Sequence, residues 1–133
     1  MPYLIDSDWV IDFLAQDSEA LQLIEQLAQE GIAISIITYM EVYQGVLRSQ
    51  ESEAASAQFA ALVATVPVLP FSRAVAERCA RLGETLRQQG NRPQQRALDL
   101  IIAATALTHD LVLVTRNVAD YQDLPNLVLY EHR

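Results

Sequence analysis

Four carboxylates, Asp6, Glu41, Asp99 and Asp120, are the side chains whose type and setting could do chemistry together in this sequence. Asp99 is the sharpest case. It is the one carboxylate in ALDLIIAATAL, an apolar helical stretch over 97–107. Burying an ionised carboxylate is expensive unless a cation or hydrogen-bond donors meet it. Bringing several together is worse, since two unit charges ~4 Å apart cost about 4 kcal/mol at an effective dielectric of ~20. Without compensation some would hold protons at neutral pH. A divalent cation removes the problem, and hard oxygen ligands without nearby Cys or His favour Mg²⁺ or Mn²⁺ over zinc. Mg²⁺ keeps several waters and takes one or two carboxylates directly, plus substrate phosphate. A pair of such ions clamps both sides of an in-line phosphoryl displacement.

Each acid also has a plainer reading. Asp6 suits an N-cap for a helix starting at Ser7. Thr38-Tyr39-Met40-Glu41 fits a capping box, with Glu41 reaching back to the Thr38 amide. Asp99 could be a rim residue paired with Arg96, and Asp120 an ordinary loop acid. The case for a joint role is that all four fall at the same end of an expected sheet.

That sheet follows from the order of the elements. Met1 to Ile5 reads as a buried strand ending at Asp6, followed by a helix from Ser7 to about Leu14. Asp17 and Ser18 cap a helix to about Gln29, with Leu21, Ile24, Leu27 and Ala28 as its core stripe and Gly31 as its stop. Gly31 to Ile37 is the second strand, and Thr38 to Arg48 the third helix, with Glu41 in its first turn. Glu51 to about Thr65 is an Ala-rich helix with Phe59, Leu62 and Val63 inward. Val66 to Phe71 holds Pro67 and Pro70, so it is a short edge strand or an extended link. Ser72 caps a long helix to about Gln89, stopped by Gly90-Asn91.

The Asp99 helix runs from about Gln94 to Thr108, with Leu98, Ile101, Ile102 and Thr105 as its core face. Leu111 to Val114 is a continuous apolar run, as in a parallel strand covered on both faces. Thr115 to Asp123 is a polar loop or single helical turn, and Asn126 to Tyr130 a last strand. The alternation predicts a three-layer α/β/α fold with a mostly parallel sheet of about five strands. In such folds ligands gather beyond the carboxyl ends of the strands. Asp6, Glu41, Asn117 and Asp120 each lie just past one of them, and Asp99 can face the same rim.

Composition narrows the classes. At 133 residues, half of them hydrophobic, the chain is expected to be one domain over 1–133 with its own core. No apolar run reaches the ~18 residues that span a bilayer, and the start has no basic region or apolar leader. The single cysteine, Cys79, cannot form an internal disulfide, so a reducing cytoplasm is the expected location. The net charge is −8, and all nine cations are Arg. Such a chain is no generic nucleic-acid binder, because counterion release needs a basic surface. There is no Gly-rich phosphate loop and no metal spacing of Cys or His. His109 and His132 read as helix-end and tail residues, and Trp9 as core or partner contact.

Four segments in series, LIDSDWVIDFL, ITYMEVYQGV, ALDLIIAATAL and LVTRNVADY, resemble the PIN-domain ribonucleases, and more narrowly the VapC-type toxins of bacterial toxin–antitoxin pairs. The resemblance spans essentially the whole chain and implies a PIN-like fold and a Mg²⁺- or Mn²⁺-dependent endoribonuclease. It implies Asp6 and Asp99 as principal metal ligands, Glu41 acting directly or through water, and Asp120 as the fourth acid. It places Thr115 or Arg116 at the scissile phosphate, with Asn117 beside them. Relatives often carry Asp where Asn117 stands, and a neutral amide there leaves a second metal ion open. A homodimer, a cognate antitoxin and an RNA substrate such as tRNA or rRNA are implied as well.

Two other readings stand beside it. A PIN-like module that only binds RNA or antitoxin is favoured by Asn117. A haloacid-dehalogenase-like phosphatase is suggested by YLIDSDWV, but that chemistry wants a Lys, and this chain has none.

Overall fold

The computed structural model describes residues 2–132. Its elements, in order, are β1 (Tyr3–Ile5), α1 (Ser7–Leu14), α2 (Ser18–Ala28), β2 (Ile32–Ser35), α3 (Ile36–Arg48), α4 (Ser52–Val63), β3 (Val68–Leu69), α5 (Arg73–Gln88), α6 (Ala97–Thr108) and β4 (Val112–Val114). Single 3-10 turns lie at Pro93–Arg96 and Val118–Asp120. The expected start of β1 at Met1 lies outside the described residues.

The strands form one sheet, in the order β3-β2-β1-β4, with every pairing parallel. Successive strand residues point to opposite faces, and here both faces are apolar. Leu4, Ala33 and Leu113 face one core, completed by Val75, Leu82 and Leu86 of α5 and by α6. Ile5, Ile34 and Val114 face the other, completed by Trp9 and Val10 of α1, Leu23, Ile24 and Leu27 of α2, Val42 and Val46 of α3, and Phe59 of α4. Helices therefore cover both faces, which is the three-layer arrangement the alternation predicts. No helix among the described residues is long and apolar enough to cross a membrane.

Several boundaries differ from expectation, each for a physical reason. The sheet has four strands rather than about five. The segment expected as the last strand meets β4 at one residue, a parallel bridge between Leu113 and Leu129. Two hydrogen bonds flank it, from the Leu113 amide to the Val128 carbonyl (2.9 Å) and from the Tyr130 amide to the Leu113 carbonyl (2.8 Å). β4 itself is only three residues long, so little ladder is on offer. The stretch over 66–71 does pair, but only through Val68 and Leu69 at the sheet edge.

Helix α3 begins at Ile36, two residues before the expected Thr38, because Ser35 is its cap. The Ser35 hydroxyl accepts the Thr38 amide at 3.0 Å. Glu41 therefore sits in the second turn, and the Thr38–Glu41 capping box does not form. On α6, Leu98 is 43% exposed, whereas Leu100, Ile102, Ala103, Ala104, Thr105 and Ala106 are buried. A helix that is apolar nearly all round carries no periodic signal to say which face turns inward. On α2, Ala20 and Leu23 join Ile24 and Leu27 in the core in place of Leu21 and Ala28.

An all-parallel sheet puts the carboxyl ends of its strands at one edge, where ligands of such folds collect. Asp6 follows β1, Ser35 hands β2 to α3, and Thr115 follows β4.

Candidate active site

Asp6 lies at the centre of that edge and is 4% exposed. The N-cap reading holds. Asp6 caps α1, with one carboxylate oxygen accepting the Ser7 amide at 2.8 Å. The other oxygen is turned inward, accepting the Thr115 hydroxyl at 2.7 Å and the Tyr121 hydroxyl at 3.4 Å. Tyr121 follows the Val118–Asp120 turn and is 1% exposed. The same phenol oxygen lies 3.3 Å from Oδ1 of Asp99, in the first turn of α6. Residues 6 and 99, 93 positions apart in sequence, thus face one another across a single hydroxyl.

The other expected acids stand further out. Glu41 lines a shallow cleft of about 330 Å³ with Asp99, Arg96 and the 94–98 segment. It is close enough for its charge to act on Asp6. Asp120 is exposed, and its charge acts on Asp99. Arg96 does not pair with Asp99; it forms a salt bridge with Asp123 at 2.7 Å and donates to the Asp120 carbonyl, pinning the 3-10 turn to the start of α6.

Of the residues expected near substrate, Thr115 is buried against Asp6. The Asn117 amide N–H donates to the Thr115 hydroxyl at 3.1 Å, and its side chain is exposed at the rim. Arg116 turns away from Asp6. Its guanidinium stacks 3.7 Å over the Trp9 ring and bonds Asp12 and Glu19, each at 3.0 Å. Trp9 is itself buried, and His132 packs edge-on against it.

Two participants were not expected. Asp8 clamps the loop after β4 by accepting the Arg116 backbone amide at 2.9 Å, and its charge acts on Asp6. Its signal was the Asp-x-Asp spacing at the end of β1. Tyr121 had no local signal, because its partners lie 22 and 115 positions away.

Electrostatics follow from this geometry. Burial pushes Asp6 up from its ordinary value to about 6; the Asp8 and Glu41 charges add to that, and the bonds from Thr115 and Ser7 oppose it. Asp99 is also raised, first by burial and then by Asp120, against the Tyr121 bond and the Arg96 charge. Burial and both carboxylates push the Tyr121 phenol far above its usual range, so it stays a donor. Among the described residues no guanidinium forms a salt bridge with Asp6, Glu41 or Asp99.

Two carboxylates that face each other without a cation suit a hard divalent ion. Among the described residues no three Asp, Glu, His or Cys side chains enclose an ion by themselves. An ion here would complete its shell with water or substrate oxygen, which suits Mg²⁺ better than a metal that needs a full protein cage.

The family model described as the PIN domain matches residues 3–123. The chain belongs to the PIN-domain family. Among PIN-domain relatives, Ribonuclease VapC19 of Mycobacterium tuberculosis is 34% identical over 129 residues, spanning 93% of this chain and 95% of that protein. The structure of VapBC2 from Rickettsia felis, bound to a DNA fragment from their promoter, matches with a TM-score of 0.87 at 25% identity over the whole of both chains. A toxin–antitoxin complex from Klebsiella pneumoniae matches with a TM-score of 0.73 at 31% identity, over 98% of this chain and 99% of that one. The PIN domain accounts for the fold, for the four sequence segments and for their order.

Proposed function

We propose that the chain is a divalent-metal-dependent endoribonuclease, the toxin of a toxin–antitoxin pair, acting in the cytoplasm as a single domain over residues 1–133. The observation that carries the reading is the facing of Asp6 and Asp99 across the Tyr121 hydroxyl. The PIN-domain match and the ribonuclease named among its relatives give it a substrate class. Similarity to a toxin–antitoxin complex supports an antitoxin partner, and a homodimer completes the proposal.

Asp6 and Asp99 would hold Mg²⁺ or Mn²⁺, with the Glu41 and Asp120 charges adding to the pull on the ion. The ion supplies Lewis acidity, acidifying water and neutralising charge at a phosphodiester. The chain's own residues do the rest. Ser7 and Thr115 fix the Asp6 carboxylate from both sides. Burial strips competing water from Asp6, which strengthens its pull on a cation. The exposed Asn117 at the rim would meet the RNA backbone, while Arg116 is held by Trp9, Asp12 and Glu19.

The test is cleavage of RNA with and without Mg²⁺, by the wild type and by Asp6→Asn and Asp99→Asn. Either substitution is expected to lower the rate at least about 100-fold, the scale of losing electrostatic stabilisation at a developing charge. Full activity in both variants would end the proposal.

A further inference from the structure

We propose that Tyr121 is a positioning residue for the metal, its hydroxyl setting Asp99 against Asp6. This rests on the nuclease reading above and deepens it. The two carboxylates are unequally supported. Asp6 is held by four groups: the Ser7 amide at 2.8 Å and hydroxyl at 3.5 Å, the Thr115 hydroxyl at 2.7 Å and the Tyr121 hydroxyl at 3.4 Å. Asp99 has one hydrogen-bond partner among the described residues, and it is Tyr121, at 3.3 Å. Arg96, the cation three positions before it, is committed to Asp123 and the Asp120 carbonyl. Without the phenol, no described residue hydrogen-bonds the Asp99 carboxylate.

The phenol is well suited to the task. Its ring belongs to the core that contains Leu100, Ala103 and Leu124 and is 1% exposed, so the oxygen is delivered from a fixed base. It has one hydrogen and two acceptors, which ties both carboxylates to one point. Partners that orient metal-ligating carboxylates characteristically change metal affinity 10–100-fold when removed. A hydroxyl that served only the core would change stability and leave metal affinity alone.

The experiment compares the full-length wild type with Tyr121→Phe, which keeps the ring and removes only the oxygen. Mn²⁺ affinity is measured by calorimetry, the metal-free melting temperature by circular dichroism, and RNA cleavage as a function of Mn²⁺. The expected result is Mn²⁺ affinity weakened at least tenfold, the metal-free melting temperature within a few degrees of wild type, and cleavage recovered at saturating Mn²⁺. Thr115→Val is the reference for a donor acting on the better-supported Asp6, and should weaken Mn²⁺ less than Tyr121→Phe. Unchanged Mn²⁺ affinity in Tyr121→Phe overturns the proposal, and so does a variant that loses its fold, since the hydroxyl would then be a structural bond. A wild type that binds no Mn²⁺ overturns the nuclease reading itself, a distinct outcome seen before any variant is made.

Discussion

A carboxylate that is 4% exposed and has no cationic partner among the described residues, as Asp6 is, is a stability cost kept in place. The folded state holds the Asp6 proton more tightly than the unfolded chain does, with a value of about 6 against an ordinary 3.8. A raised folded value contributes stability that is complete below about pH 4 and is lost as pH rises through about 6. Across that window Asp6 alone is worth about 3 kcal/mol. The metal-free protein should therefore melt several degrees higher at pH 5 than at pH 7.5. The acids whose values are lowered by partners, Glu19, Glu84 and Asp123, pull the other way, but mostly below this window. Asp6→Asn isolates the effect: an amide still caps α1 but carries no charge to desolvate. Its metal-free melting temperature at pH 7.5 should exceed wild type and vary less between pH 5 and 7.5. A melting curve with the same pH dependence in both proteins would show that Asp6 is solvated after all. On the proposed function, the same group should give up activity and gain stability on losing its charge, a trade expected of a functional site.

At the scale of elements, the joint between β2 and α3 shows what the sequence reveals and what it hides. GIAISII reads as one apolar strand, yet β2 stops at Ser35 and Ile36 opens the helix. The decisive signal was the serine, a preferred N-cap, rather than the apolar run around it. Ser35→Ala leaves the Thr38 amide unpaired where both residues are 0% exposed. It should cost about 1–2 kcal/mol, read as a lower midpoint in urea with an unchanged slope. Ser35→Thr should recover most of it. The fold as a whole was legible because alternating strands and helices leave few topologies open. What escaped was set by tertiary contact. The inward face of α6 is chosen by the neighbours of Leu100 and Ile102, not by a polar stripe, and the last strand shrinks because β4 offers only three residues to pair with. At the site, Asp6 and Asp99 were legible as acids in apolar surroundings. Tyr121 was not, because an aromatic beside Asp120 looks like any core residue until the fold carries it to residues 6 and 99.

The whole molecule poses a charge problem for its proposed substrate. It carries −8 with only nine cations, all Arg. Three of those are already engaged: Arg87 with Glu84, Arg96 with Asp123, and Arg116 with Asp12 and Glu19. RNA affinity built on phosphate contacts falls with salt at about 0.7 log units per log unit for each phosphate neutralised on a single strand. A protein making 6–10 such contacts loses roughly 10³–10⁵ in affinity between 50 and 200 mM salt. The six Arg that remain, among 17 acidic residues, can make the lower end of that range at most. On the proposed function, its recognition of RNA would rest on the few phosphates at the Asp6–Asp99 edge, reached through a divalent ion, and on the shape of the groove around them. With Mg²⁺ held saturating, the KM for RNA cleavage should therefore rise by less than about tenfold between 50 and 200 mM monovalent salt. Lowering Mg²⁺ at constant salt should weaken cleavage far more. A steep monovalent-salt dependence, with a slope near −6, would instead assign RNA binding to many phosphate contacts with Arg side chains.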